Sequence, residues 1–276
     1  MKKIFLSVIA LAAVTTLAAQ DLTILHLNDT HSHIEPERMG DINGHGGIIE
    51  QAAYISEVRE EMGRKNVLLL HAGDFSQGTS YFTELKGQIE IDNLNAIGYD
   101  VVTLGNHEFD NGMEALSDRL KQLDCPVVCA NYDFTGTPLE DVVKPYAIVK
   151  KAGKKIGVIG ILTDVSTVVD KSINQGLVYM DPIPITQKYV DYLRNKKKCD
   201  LIICLTHLGD KGSKAKGVAI DQTLVAGTTG VDVVVGGHAH TELDEMQVWK
   251  NAAGEDVIYV TDGGWGLEVG RLDVTF

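Results

Sequence analysis

The stretch "DVVTLGNHEFDNG", residues 100–112, is a short β-branched and apolar run that stops in an Asn, a His and two acids. Val101 to Leu104 is continuous rather than alternating, the pattern of a strand covered on both faces. The same construction recurs along the chain. Leu22 to Leu27 leads into "NDTHSH", Val67 to Leu70 into "HAGDFSQG", Leu201 to Leu205 into "THLGD", and Val231 to Val235 into "GGHAH". Five strands are thus predicted to end in metal-capable side chains. Val127 to Cys129 and Ile156 to Leu162 read as two further strands. Ile48 to Met62, Phe82 to Ile97, Met113 to Leu123 and Ile185 to Leu193 show helical spacing. Strand and helix in succession imply an α/β architecture. After Val235, the runs Met246 to Trp249, Val257 to Thr261 and Leu267 to Phe276 read as strands with no helix between them, which adds antiparallel strands. Ligands of open α/β sheets bind at the carboxyl ends of the strands, so the five polar blocks can converge on one place.

The chain has 276 residues, 44% hydrophobic and 23% charged, an ordinary globular composition. No long Pro- or Ser-rich linker, repeat or low-complexity tract divides it, so residues 20–276 read as one domain. The first nineteen residues differ. Lys2 and Lys3 precede an apolar stretch from Ile4 to Leu17 and then the small residues Ala18 and Ala19, the layout of a secretory signal cleaved near Ala19. The stretch falls short of the roughly 20 apolar residues that a membrane anchor needs, and no Cys near the cut favours a lipid anchor. A periplasmic or secreted protein is expected. Loss of Lys2 and Lys3 takes the formal charge from −13 to −15. Such acidity argues against a nucleic-acid polymer or an anionic membrane as partner. Cys125 and Cys129 are too far apart along a strand to bridge, about 13 Å. No Cys-x-x-Cys spacing suggests zinc, and buried free thiols are expected for these two and for Cys199 and Cys204.

Each polar block has a bland reading of its own. Asp29 and His31 are two apart in what reads as an extended segment, so both side chains would point one way; a plain polar turn is the alternative. His238 and His240 repeat that spacing. Gly236-Gly237 before them removes bulk where the backbone must come close to something. Asp74, after Gly73, could cap a helix. Asn106 is a weak ligand alone, and His207 could be a lone loop residue. Together they form a mixed, fairly hard set without thiolate, suited to Zn, Mn or Fe. Two divalent ions about 3.5 to 4 Å apart can share one carboxylate and activate a hydroxide for in-line attack on phosphorus.

The ordered set Asp29-x-His31, Gly73-Asp74, Gly105-Asn106-His107-Glu108, His207 and Gly237-His238-x-His240 resembles the calcineurin-like metallophosphoesterases. "NDTHSH", "GNHEFDNG" and "THLGD" resemble more narrowly the secreted 5'-nucleotidase and UDP-sugar hydrolase branch, and the likeness runs over about residues 21–276. The resemblance implies a four-layer α-β-β-α sandwich with mixed sheets and two divalent metal ions. One ion would be held by Asp29, His31, Asp74 and His240. The other would be held by Asp74, Asn106, His207 and His238, with Asp74 bridging. It also implies that His107 stabilises the transferring phosphoryl group or protonates the leaving oxygen, with Asp110 fixing its ring and favouring the protonated form. The alternative is that Asp110 or Asn111 caps a helix beginning near Gly112, since Asn111 and Glu114 have capping-box spacing. Among the other histidines, His45 is expected in a loop near the site entrance and His26 in the core, while His33 could support the ligands and His71, at a strand end just before Gly73-Asp74, could support Asp74.

The implied reaction is hydrolysis of phosphate esters of exported or extracellular nucleotides. A phosphodiesterase acting on 2',3'-cyclic nucleotides or nucleotide sugars is the alternative, and a binding module dependent on a partner is a third reading. In the resembled branch a second domain carries the aromatic residues that stack on the base. This chain closes on "GRLDVTF", similar to the last strand of the catalytic domain alone, which leaves room for a separately encoded substrate-binding subunit. Aromatic residues make up 6% of the chain, and no pair suggests itself as a base clamp.

Overall fold

A computed structural model describes residues 21–169, 176–210 and 219–276. The segment read as a secretory signal lies outside the described residues. In chain order the elements are β1 (Asp21–Leu27), α1 (Ile48–Met62), β2 (Val67–His71), α2 (Ser80–Leu85), α3 (Gln88–Ile97), β3 (Val101–Thr103), α4 (Met113–Leu120), β4 (Val127–Val128), β5 (Tyr132–Asp133), β6 (Val143–Lys144) and β7 (Tyr146–Lys151). There follow β8 (Lys154–Leu162), β9 (Val178–Tyr179), α5 (Pro182–Asn195), β10 (Leu201–His207), α6 (Asp221–Gly227), β11 (Val233–Val235), β12 (Gln247–Lys250), β13 (Asp256–Val260) and β14 (Gly270–Thr275).

Two six-stranded sheets form, in the orders β14-β1-β2-β3-β4-β6 and β12-β13-β11-β10-β8-β7. The interior strands pair in parallel. In the first sheet β14 runs antiparallel to β1, and in the second β12 and β7 run antiparallel to β13 and β8, so both sheets are mixed.

Alternation along the strands explains the stacking. Leu22 and Ile24 of β1 point to one face, where they join Leu68 and Leu70 and meet Val158, Ile203, Leu205 and Val233 of the other sheet. Leu25 and Leu27 point to the opposite face, beneath Ile55 and Val58 of α1 and Ile91 and Leu94 of α3. On the outer face of the second sheet, Ile159, Ile161, Ile202 and Cys204 are covered by Val190 and Leu193 of α5 and Leu224 and Val225 of α6. The layers are therefore helix, sheet, sheet, helix. Each such side chain removed from water contributes roughly 1.5–3 kcal/mol, which is why these strands read as continuous apolar runs.

Several elements differ from expectation. The helix expected over Phe82 to Ile97 is two helices, because Lys86 and Gly87 take left-handed φ values of 54° and 90°. The short α6 and the antiparallel pair of β7 with β8 were not singled out from the sequence. All four cysteines are free; three are buried and Cys125 is half-buried. Among the described residues no helix is long and apolar enough to cross a membrane.

Candidate active site

The five polar blocks follow β1, β2, β3, β10 and β11, and the sheet orders bring their carboxyl ends to one edge of the sandwich. The loops after β1 and β2 are hydrogen-bonded to each other: Asp29 N–H donates to Gly73 O and His31 N–H to Asp74 O, each at 3.0 Å. Asp29 and His31 do not lie in an extended segment, as their spacing had suggested. Their φ values are 48° and 46°, and Asp74, His238 and His240 are left-handed as well, at 53°, 79° and 50°. Each such residue costs on the order of 1 kcal/mol and persists only where its surroundings hold it. Five of the seven ligand candidates share that strain, and it is tight turning rather than a shared strand face that gathers them. Asp74 caps no helix, since α2 begins six residues later.

Close backbone approach does the rest. A Cβ on Gly237 would fall 2.8 Å from Ala72 O and 2.9 Å from His207 Nδ1. One on Gly105 would fall 2.1 Å from Asp74 Oδ1. Only glycine fits at either place.

Each carboxylate has one oxygen anchored and the other free to point inward. Asp29 Oδ2 accepts from Asn28 Nδ2 and from His238 N–H, each at 2.8 Å. Its Oδ1 lies 3.3 Å from His240 Nε2 and 3.8 Å from both His31 Nε2 and His207 Nε2. Asp74 Oδ1 accepts from His107 N–H at 2.8 Å, while its Oδ2 lies 3.0 Å from His207 Nε2 and 3.8 Å from His31 Nε2. Ligand atoms of Asp29, His31 and His240 lie within 4.8 Å of one another, as do those of Asp74, His207 and His238.

Backbone carbonyls fix the tautomers. His207 Nδ1 donates to Ala72 O at 2.8 Å and His31 Nδ1 donates to Ser76 O at 3.3 Å, so both rings turn a lone pair inward from Nε2. His31 Nε2 then faces His240 Nε2 at 3.0 Å, and His207 Nε2 faces Asp74 Oδ2. Facing lone pairs need a proton or a cation between them. Among the described residues, Asp29 Oδ1, Asn106 Oδ1 and His207 Nε2 are buried without a well-formed hydrogen bond, the condition that metal ligation would relieve. Burial works against charge on His207 and Asp74 alike. The attraction between them outweighs it, holding the imidazole above its usual range and the carboxyl below. The residues present therefore fit a pair of divalent cations.

Over this buried layer lies a cleft of about 440 Å³, walled by His31, Asp74, Asn106, His107, His238 and His240. His107 Nδ1 is 2.8 Å from Asp110 Oδ2, and that hydrogen bond is the main cause of its raised pKa. The capping alternative is not what forms: Gly112 occupies the cap of α4, with no side-chain cap, and Asn111 closes a 3-10 turn over His107–Asn111.

Two residues to which the sequence reading gave no role support the site. Asn28, fully buried, also donates to Gly263 O at 2.7 Å and accepts from Asp262 N–H at 3.0 Å, tying Asp29 to the loop after β13. Glu108 accepts from the backbone N–H groups of Gly105, Asp74 and Ser76, at 2.5, 2.9 and 3.0 Å. Burial and the Asp74 carboxylate push its carboxyl up to about 8, while the backbone donors pull the other way. The only signals were that Asn28 precedes Asp29 in a quoted block and that Glu108 closes the Gly105-Asn106-His107-Glu108 motif. His26 is buried among strands. His71 is also buried and accepts from Gly73 N–H. His45 is exposed and away from the cleft wall. His33 lines the cleft, pairs with Glu37 and stacks on Trp265.

A two-sheet sandwich with paired Asp and His clusters at its strand ends defines a phosphoesterase type of scaffold. Residues 22–242 match the calcineurin-like phosphoesterase family, and the chain belongs to it. It is 32% identical to the trifunctional nucleotide phosphoesterase YfkN of Bacillus subtilis over 93% of this chain and 18% of that protein. Among solved structures it is similar to a 5'-nucleotidase precursor from Thermus thermophilus, with 34% identity and a TM-score of 0.82 over 93% of this chain and 51% of that one. It is also similar to the NAD nucleotidase of Haemophilus influenzae, with 30% identity and a TM-score of 0.79 over 93% and 53%. The chain thus spans about half of these solved chains and less of YfkN.

Proposed function

We propose that this chain is a dimetal-dependent phosphohydrolase domain that cleaves phosphate esters of nucleotides outside the cytoplasm. The observation that carries the reading is the set of buried atoms that lack a well-formed hydrogen bond among the described residues, Asp29 Oδ1, Asn106 Oδ1 and His207 Nε2, beneath a cleft whose wall bears His107. In this reading Asp29, His31, Asp74 and His240 hold one divalent ion, and Asp74, Asn106, His207 and His238 hold the other, with Zn, Mn and Fe the suitable metals. Bound there, the ions would neutralise phosphoryl charge and lower the pKa of an attacking water. His107, its Nδ1 committed to Asp110, offers Nε2 to the phosphoryl or leaving oxygen as a proton donor. Water adds to phosphorus, the ester P–O bond breaks, and the leaving oxygen departs as an alcohol. The names of the relatives support nucleotide substrates. Export rests on the first nineteen residues, and residues 20–276 act as one catalytic domain.

One relative is named trifunctional and another an NAD nucleotidase, so diesters and dinucleotides are the second reading. The test is phosphate release from AMP by the purified protein loaded with Mn or Zn, beside chromatography of the products formed from 2',3'-cyclic AMP, a nucleotide sugar and NAD, with His107→Ala as blank. Rapid release from AMP is expected. Cleavage of the diesters alone would establish the second reading, and bound metal without turnover of any ester would overturn both. Turnover of small activated esters only would place substrate selection outside this domain.

A further inference from the structure

The loop after β13 carries a side chain that neither the core nor the ligand set explains. Trp265 has a φ of 61°, a left-handed conformation rare for a bulky aromatic residue, and it stands between Gly264 and Gly266. The loop is pressed onto the candidate metal centre. Trp265 N–H donates to Asp29 O at 2.6 Å, and a Cβ on Gly264 would fall 3.1 Å from the His240 ring. A glycine or asparagine would suit this turn better. Strain of this kind, held in place by its surroundings, is a mark of functional positions.

The indole is not tucked away in compensation. It is 37% exposed and borders the same cleft as Asn106 and His107. One face stacks on the imidazole of His33, with ring centres 5.2 Å apart and planes 11° from parallel. His33 is itself held by Glu37. Met39, 61% exposed, lines the cleft as well, so the wall beyond the ligand histidines carries two large apolar side chains in an otherwise polar site.

We propose that Trp265, backed by His33, is a platform on which the planar part of the leaving group rests, a nucleobase in the first instance, so that the catalytic domain itself contributes to substrate selection. The inference rests on the hydrolase reading above. The cleft volume of about 440 Å³ falls within the range of small-molecule sites, and stacking on an aromatic ring tolerates any base because every base has a π-face.

The experiment compares AMP with ribose 5-phosphate, which presents the same ester without the base. Trp265→Gly keeps a residue suited to the positive φ and removes the ring; Trp265→Phe retains an aromatic face. Metal content of each variant is measured alongside. The ratio of kcat/KM for AMP to that for ribose 5-phosphate is expected to fall about tenfold in the glycine variant, through KM, and to recover largely in the phenylalanine variant. An unchanged ratio, or parallel loss on both esters, would overturn the platform and leave the hydrolase reading standing. A second readout is independent of turnover. Trp249, the other tryptophan, is stacked on Tyr259. In a Trp249→Phe background the fluorescence of Trp265 reports on the cleft, and quenching by adenosine is expected. Quenching without hydrolysis of any ester would keep the platform and sink the hydrolase; no quenching, with no discrimination between the esters, would sink the platform.

Discussion

Asp74 is the side chain on which both ligand groups meet, its Oδ2 lying within reach of His31 on one side and His207 on the other. Asp74→Ala is expected to abolish retention of both metals, read by elemental analysis after gel filtration. His107→Ala should retain two metals per chain and lose about 10²- to 10⁴-fold in turnover; near-normal rates with normal metal would remove His107 from the chemistry. The residue types were legible because each block ended a recognisable strand and offered only Asp, Asn and His. The positions of their side chains were not. The extended spacing invoked for Asp29 and His31 does not exist, because consecutive left-handed residues turn the chain where alternation would have run it straight. The roles of Asn28 and Glu108 were not legible for a related reason: they reach backbone groups of loops distant in sequence, which no residue pattern records.

At the scale of elements, Glu108 is the acceptor that joins the loop after β2 to the turn after β3. Glu108→Ala strands three buried N–H groups, each costing about 1–3 kcal/mol. Urea unfolding should show a loss of at least about 3 kcal/mol, and a loss below about 1 kcal/mol would mean that water replaces the carboxylate. The first residue of α6, Asp221, is fully buried beside Tyr259 of β13, and burial raises its carboxyl to about 7. The unfolded chain sheds this proton near pH 4 while the folded chain keeps it to about pH 7, so this group's contribution to stability falls as pH rises through that window and is level above it. Asp221→Asn should remove the dependence. Its advantage over the parent protein should be larger at pH 8 than at pH 4.5 by on the order of 4 kcal/mol, and an advantage independent of pH would refute the assignment. Helix α1 was legible to both its ends because fifteen residues keep one apolar stripe. The break between α2 and α3 was not, because Gly87, which shares it with the left-handed Lys86, is a lone glycine in an apolar-periodic run, and such a glycine is often tolerated within a helix.

For the whole molecule, the ligand candidates come from both sheets: Asp29, His31, Asp74 and Asn106 from the first, His207, His238 and His240 from the second. Metal held between them would staple the sandwich along one edge. At about a thousandfold excess over Kd, binding stabilises by about 4 kcal/mol, and a domain of this size gains about 2–4 °C per kcal/mol. Chelation should therefore lower the Tm by roughly 8–16 °C, with recovery on adding Mn or Zn. A Tm indifferent to chelator would mean that the sheets hold their edge without metal. The sequence by itself determined the α/β class, the strands that end in polar blocks and the family to which those blocks point, because hydrophobic periodicity and residue chemistry are local properties of a chain. Only the tertiary structure decided that loops from two sheets lie within hydrogen-bonding distance, that Asn28 and Glu108 hold them there, and that Trp265 faces the cleft. Those are contacts between residues more than 200 positions apart in the case of Asn28 with Gly263 and Asp29 with Trp265, fixed by packing and close backbone approach rather than by any pattern along the chain.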